Sequence, residues 1–388
     1  RSFTIRIMQI KQLFLIIFFF IIEHNYCQIN SFESDLIDYN FDSDTIKNRL
    51  ARLDAKTPLE LYFTPEVEKR IKRYLKTRVD FYNDNIEKIN YYLPLFEEHL
   101  QNNQIPIEIK YLPIIESRLD PTAVSKVGAT GLWQFMFYTA LENDLKMNSY
   151  IDERMDPLKS TIAATAYLKK LYKIHSDWNL VLASYNAGPR TISRAKKQSG
   201  GHTNYWNIRP FLPTETANYV PSFIATMYIL EYADEHGINL HISKRPILKT
   251  EKVIIKEKFA FEHFSKFFNY SIDSIKTLNP SYIHGIIPGQ NVNSVRLPIE
   301  LADKLIENED EFYAFSKTEF DKREKPLPDL YSIDSKLIYK VSYGEFLGKI
   351  ARKFGVKVAD IKRWNNLKND NIKENQKLII FPKRIPKN

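Results

Sequence analysis

Glu116 closes an apolar helical pattern, Ile107, Tyr111, Ile114 and Ile115, within Tyr111-Leu112-Pro113-Ile114-Ile115-Glu116-Ser117. A carboxyl group at the edge of a core loses hydration, which favours its neutral form and lifts its pKa towards neutrality. A carboxylic acid in that range suits protonation of a poor leaving group such as a glycosidic oxygen. Three further groups of residues accompany it: Ser125 to Met136, with Gly128, Gly131, Trp133 and Gln134; Ala183-Ser184-Tyr185-Asn186-Ala187-Gly188-Pro189; and Glu215-Thr216-Ala217-Asn218-Tyr219-Val220-Pro221. Gly128 and Gly131 would let the backbone approach a bound sugar closely. Trp133, Phe135, Tyr185 and Tyr219 offer rings for stacking on sugar faces. Taken singly, each has a plainer explanation. A Glu at a helix end is usually a solvated charge or a cap, Trp133 and Phe135 suit a core, and Asn186 before Gly188 is a helix C-terminus signal.

Other chemistries are poorly served. Neither G-x-x-x-x-G-K-[ST] nor G-x-G-x-x-G occurs, so no phosphate-cradling loop is expected. The eight histidines are scattered, with no H-E-x-x-H or Cys/His cluster, so neither a metal site nor a cofactor is expected. One cysteine, Cys27, allows no disulfide scaffold. Most glycosidases use two carboxylates. Asp120, Glu142, Asp152 and Asp156 are candidates for the second, but Asp120-Pro121 and Asp156-Pro157 read more simply as turn and cap residues.

The 388 residues are long enough for two or three folded units. Leu13 to Ile22 is an unbroken apolar run of ten behind Arg6 and Lys11, about half of what a spanning helix needs. It fits the hydrophobic region of a secretory signal, so residues 1–27 are assigned to a signal peptide and the protein to the periplasm or cell envelope. Cys27 as a lipidation site lacks the small preceding residues of a lipobox. Residues 28–90 are an N-terminal extension, partly helical, with Val67, Ile71, Tyr74 and Leu75 on one face. Residues 91–240 form an all-helical domain. Asp156-Pro157 starts one of its helices, and Trp178, Val181, Leu182 and Tyr185 line another that ends at Gly188-Pro189. Val220, Phe223, Ile224, Met227 and Leu230 line a third, which Gly237 closes.

Beyond His241 short strand-like runs alternate with helices, and two segments share one order. Leu337 to Pro382 runs strand, helix, helix, Asn365-Asn366-Leu367, strand; Val253 to Pro298 repeats this through Asn279-Pro280. Tandem βααβ units are expected at 251–300 and 337–384, joined by a charged linker at 301–336. The fold class is therefore mainly α with small α+β modules. From Ile338 to Asn388 there are 13 Lys/Arg against 4 Asp/Glu, an excess equal to the whole chain's net charge of +9. Such a module suits a polyanionic partner.

Glu116-Ser117, Gly131-Leu132-Trp133-Gln134 and Ser184-Tyr185-Asn186-Ala187-Gly188 resemble the three signature motifs of the lytic transglycosylase catalytic domain, and Glu215 to Tyr219 its fourth. The C-terminal units resemble LysM modules, the first in divergent form. The resemblance covers residues 90–240 and 337–382. It implies a lysozyme-like helical domain that cleaves the β-1,4 bond between N-acetylmuramic acid and N-acetylglucosamine and leaves a 1,6-anhydromuramic end. It implies Glu116 as the single catalytic acid and base, with help from the substrate's own N-acetyl group. Ser117, Ser125, Gln134, Met136, Tyr185, Asn186 and Tyr219 become substrate-contacting residues. Tyr343, Gly344, Asn365, Asn366 and Leu367 become glycan contacts of the last module. Trp133 and Ser184 depart from the family's more common methionine and alanine. Peptidoglycan glycan strands are the implied partner of a monomeric protein, with membrane association left open and no nucleic acid. A hydrolytic muramidase of related fold and a noncatalytic wall-binding scaffold are the rival assignments; a nucleic-acid binder rests on the basic tail alone.

Overall fold

The computed structural model describes residues 42–240, 249–289, 292–324, 327 and 337–382. The expected signal peptide and Cys27 lie outside the described residues. Residues 43–240 form a helical block of α1 (Ser43–Asp54), α2 (Pro65–Thr77), α3 (Val79–Asp84), α4 (Ile86–Asn102), α5 (Leu112–Ser117), α6 (Phe137–Leu141), α7 (Pro157–His175), α8 (Trp178–Ala187), α9 (Pro189–Gln198), α10 (Tyr205–Ile208) and α11 (Thr214–Glu231).

Local signals account for most of these ends. Thr64 caps α2 through a bond from the Val67 amide, with Pro65 at its first position. Asp156 accepts from the Leu158 and Lys159 amides at 3.0 and 2.9 Å and so starts α7 before Pro157. Gly188, at φ +80° and ψ 151°, stops α8 in a conformation open essentially to glycine alone. α11 is buried along nearly its whole length and is the hub of the block, packing on α2, α5 and α8.

Two expectations about boundaries need correction. α4 runs unbroken from Ile86 to Asn102, through the expected boundary at 90/91. The residues before it are no appendage. Arg70 of α2 donates to Asn218 of α11 at 2.8 Å, and Arg209 pairs with Glu66 at 3.2 Å. Ile46 and Leu50 of α1 are fully sequestered. Long-range packing absorbs 43–90 into the helical block, which composition alone does not reveal.

The next unit holds β1 (Thr250–Ile255), β2 (Phe259–Ala260), α12 (Phe261–Phe268), α13 (Ile272–Leu278), β3 (Ile286–Ile287) and β4 (Asn293–Pro298), with β1 and β4 antiparallel and Val253 opposite Val295. It does not stop at residue 300. α14 (Ile299–Glu307) and α15 (Glu309–Asp321) occupy most of the expected linker. Ala302, Leu305, Phe312 and Tyr313 enter the unit's core. The Phe312 ring lies 5.0 Å from Phe259, and Ser316 meets His263 at 2.8 Å. The many charges that suggested a linker sit on the outer faces of two amphipathic helices, and the inward residues at helical spacing decide the structure.

The last unit comprises β5 (Leu337–Lys340), α16 (Leu347–Phe354), α17 (Val358–Trp364) and β6 (Lys377–Ile380), with β5 and β6 antiparallel around their own core. The repeat expected from sequence has a structural counterpart at one residue. Asn365 donates to the Ile361 and Ile379 carbonyls at 2.9 and 2.7 Å and accepts from the Ile379 amide at 2.7 Å. Asn279 does the same with Ile275 and Arg296, at 2.9, 2.8 and 2.7 Å. In both units this amide ties the second helix to the last strand.

Candidate active site

Glu116 is the penultimate residue of α5, and the chain turns sharply behind it. Arg118 and Leu119 both adopt left-handed conformations, at φ +56° and +57°. Two successive non-glycine residues there are costly, and such strain persists only where the surroundings over-determine it. Ser117 helps to impose it. Its buried hydroxyl donates to the Pro113 and Leu132 carbonyls at 3.0 and 2.9 Å, joining α5 to the 128–135 loop. The one donor proton of Ser117, a residue expected to contact substrate, is thus committed inside the fold.

Tyr219, on α11, donates its hydroxyl to Oε1 of Glu116. Burial pushes the Glu116 carboxyl up, the Tyr219 bond pulls it partly back, and the charge of Glu215 pushes it up again, to about 7. A carboxyl group in that range can both give and take a proton at neutral pH. Tyr185 stands beside it with its hydroxyl donated to the Trp133 carbonyl at 2.6 Å. Burial and the nearby Glu116 keep both tyrosines neutral, their pKa values well above the usual phenol range.

Asn186 reaches the same corner. It accepts from Thr216 at 2.9 Å, and its amide faces Glu215 at 3.4 Å. The structure thus brings together Glu116, Tyr185, Asn186, Glu215 and Tyr219 from three helices. Glu215 had no assigned role in the sequence, although it stood in the fourth motif. The four carboxylates considered as a second acid have other tasks or places. Asp120 caps a turn at Thr122, Asp152 pairs with Arg154, Asp156 caps α7, and Glu142 is exposed.

The loop from Ser125 to Met136 lies against this corner. Ser125 accepts from the Ala129 amide at 3.0 Å. Gln134, at φ +48°, donates to the Gly131 carbonyl at 2.9 Å, and Met136 is exposed. Two expectations fail here. Trp133 and Phe135 are buried, the indole donating to Thr161 at 3.0 Å, so neither ring can lie on a sugar. Gly131 does not face open space either: a Cβ there would sit 1.9 Å from the Arg154 carbonyl oxygen. Its glycine serves close packing within the protein.

In the last unit, Tyr343 is 87% exposed beside Gly344 at φ +73°, and Asn366 is exposed at φ +52°. Asn365 and Leu367 are different. The Asn365 amide is consumed by backbone, and Leu367 packs on the core. Glu345 accepts from Tyr339 and from the Ser342 amide, which shapes the exposed turn.

Three family models match the chain: Transglycosylase SLT domain over residues 94–208, the LysM-like domain of lytic transglycosylase MltD over 249–314, and LysM domain over 339–381. The chain is 27% identical over 320 residues to the membrane-bound lytic murein transglycosylase D of Escherichia coli strain K12, covering 81% of this chain and 68% of that one. Among solved structures it aligns with the 70 kDa soluble lytic transglycosylase of Escherichia coli (21% identity, TM-score 0.34, 52% of this chain and 32% of that one). It also aligns with the lytic transglycosylase Slt of Pseudomonas aeruginosa (20% identity, TM-score 0.34, 50% and 31%). The chain thus spans about a third of the length of these solved proteins. With matches to an SLT domain, an MltD-type LysM-like domain and a LysM domain in succession, the chain is similar to the MltD-like lytic transglycosylases in content and order of domains.

Proposed function

We propose that the protein is a peptidoglycan lytic transglycosylase in which Glu116 is both acid and base. It cleaves the β-1,4 bond between N-acetylmuramic acid and N-acetylglucosamine. The observation that carries the assignment is the Glu116 carboxyl held by Tyr219 and pushed up to about 7. Because Tyr219 donates to Oε1, the acid proton belongs on Oε2, which is left to face the glycosidic oxygen. Transfer of that proton breaks the C1–O bond as the substrate's N-acetyl oxygen supports the developing positive charge. Glu116, now a carboxylate, takes the proton of the muramic C6 hydroxyl as its oxygen bonds to C1. The 1,6-anhydro ring closes and the acid is regenerated without water.

Tyr185, Asn186, Gln134, Met136 and Ser125 form the wall along which the glycan lies. The exposed Tyr343-Gly344 turn and Asn366 hold the polymer at the basic C-terminal module, whose positive charge adds attraction to stem carboxylates. Tethering raises the effective concentration of cleavable bonds. The place of action is the cell envelope, in keeping with the membrane-bound relative. Among the described residues no helix is long and apolar enough to cross a membrane, and the protein acts as a monomer.

Mass spectrometry of fragments released from purified sacculi tests the reaction. Anhydromuramic ends are expected, and products heavier by one water would assign a hydrolytic muramidase instead. Glu116→Gln should abolish release while sacculus pull-down persists; unchanged release would remove Glu116 from the role of acid.

A further inference from the structure

The first LysM-like unit presents to the helical block the loop that follows its second helix. The Asp152 amide donates to the Ser281 carbonyl at 2.9 Å, the Ile283 amide donates to the Tyr150 carbonyl at 2.9 Å, and Ile151 pairs antiparallel with Tyr282. Tyr150 and Ile151 pack with Ala260 and Ile286, and the Tyr150 ring meets His284 edge-on at 5.5 Å. Beside this junction the surfaces part around a cavity of about 250 Å³ lined by Tyr92, Asp156, Lys252, Asn279 and Arg296. The strand-like pairing is thus the specific link on this side.

From the junction a continuous set of bonds runs to the active-site loop. Asp152 holds Arg154 by two bonds, to Nε at 2.9 Å and to Nη2 at 2.7 Å. The buried Arg154 then donates from Nη1 to the Gly128 and Phe135 carbonyls, at 3.1 and 3.3 Å. Those carbonyls bracket the loop that carries Trp133 and Gln134, and Gly131 rests directly on the Arg154 backbone. A planar guanidinium, always charged and able to hold a carboxylate with one edge and carbonyls with the other, suits a rigid spacer.

We propose that Arg154 is a positioning residue for the transglycosylase site and that the 249–321 unit acts through it, bracing the 128–135 loop instead of reading glycan. The proposal deepens the function assigned above and rests on it for its kinetic part. The equivalent loop of the last unit, from Asn366 to Asn369, is largely exposed. In the first unit the same place is taken by pairing with residues 150–152. A single fold thus serves two purposes, one copy turned inward and one outward.

The test uses the full chain and two measurements. Amide hydrogen exchange without substrate follows Thr130, Gly131 and Phe135, whose N–H groups are bonded within the loop region at 2.9–3.1 Å. Steady-state release of anhydro fragments from sacculi separates kcat from KM. In Tyr150→Asp/His284→Asp, like charges open the junction; Tyr150→Asp/His284→Lys replaces them by a pair and is the rescue. Opening the junction should speed exchange at residues 128–135 by about tenfold and lower kcat by about tenfold with KM within about twofold, and the Asp/Lys pair should recover both. Arg154→Lys, which keeps the charge and loses the fork, should reproduce the loop exchange without exposing residues 281–287. Faster exchange confined to 281–287, or an unchanged kcat in both the opened and the Arg154→Lys proteins, would overturn the proposal. Because exchange is read without substrate, failure of the Glu116 assignment leaves that arm intact and the two outcomes separable.

Discussion

The Tyr219 hydroxyl donates to Oε1 of Glu116 across 103 positions of sequence. α11 is buried along most of its length and carries the tyrosine to the end of the short helix that carries the acid. That bond favours the carboxylate, while burial and the charge of Glu215 oppose it, and their balance places the group near 7. The bond and the Glu215 charge can each be removed separately.

Tyr219→Phe deletes the donor and leaves the carboxylate less stabilised, so the Glu116 pKa rises. The alkaline limb of kcat/KM against pH should move upward by about one to two units, the equivalent of a hydrogen bond to a charged group. A limb that stays in place would remove the bond from the titration.

Glu215→Gln works in the other direction. Its negative charge raises the Glu116 pKa, so its loss lowers that pKa and the alkaline limb should shift down. Opposite shifts for the two variants, measured on one substrate, are the expected signature. Shifts of the same sign would mean that general distortion of the site dominates.

Glu116→Gln has a consequence for stability as well as for turnover. A carboxyl group whose folded pKa lies near 7, against an ordinary 4.5, binds more protons folded than unfolded across that interval. Stability is therefore lost as pH rises from about 4.5 to 7. At pH 8 the wild type bears a cost of about 3 kcal/mol that glutamine lacks. Thermal unfolding should show Glu116→Gln more stable than wild type at pH 8 and the two nearly equal at pH 4. Equal stability at both would place the side chain in bulk solvent.

Gly131→Ala and Gly188→Ala separate two uses of glycine. Both positions have φ above +80° or at it, but only Gly131 lies against backbone. Alanine at 188 meets no atom within 4 Å and suffers conformational strain alone, about 1–3 kcal/mol. Alanine at 131 adds a clash with the Arg154 carbonyl and should cost clearly more. Denaturant midpoints of the two variants check the order.

In the last unit, Asn365→Ala and Tyr343→Ala should part company. The first removes three backbone bonds made by a half-buried amide and should destabilise the module by about 2 kcal/mol. The second removes an exposed ring and should leave unfolding unchanged while weakening sacculus pull-down. Loss of pull-down only for Asn365→Ala would take the Tyr343 turn out of glycan binding.

Much of the molecule was legible one segment at a time. Asp156-Pro157 announces the start of α7, Gly188-Pro189 the end of α8, and Asn279 and Asn365 the corresponding point of two repeats, because caps, turns and periodicity depend on residues a few positions apart. The helices at 299–321 were hidden by their charge, although Ala302, Leu305, Phe312 and Tyr313 kept a helical spacing that could have revealed them. Trp133 offers no such clue. An indole beside two glycines suits a sugar platform or a core equally well, and only the packing of Phe96 at 5.2 Å and the bond to Thr161 turn it inward.

The chain alone determined which residue types could do the chemistry, the ends of most helices and the doubling of the C-terminal unit. These follow from local backbone preferences and from short-range patterns. Tertiary structure decided the state of Glu116, the service of Arg154 and Ser117 to the loop, and the inward turn of the first repeat. Desolvation and charge act through space, so a carboxyl group takes its character from groups such as Tyr219 and Glu215 that only folding brings beside it.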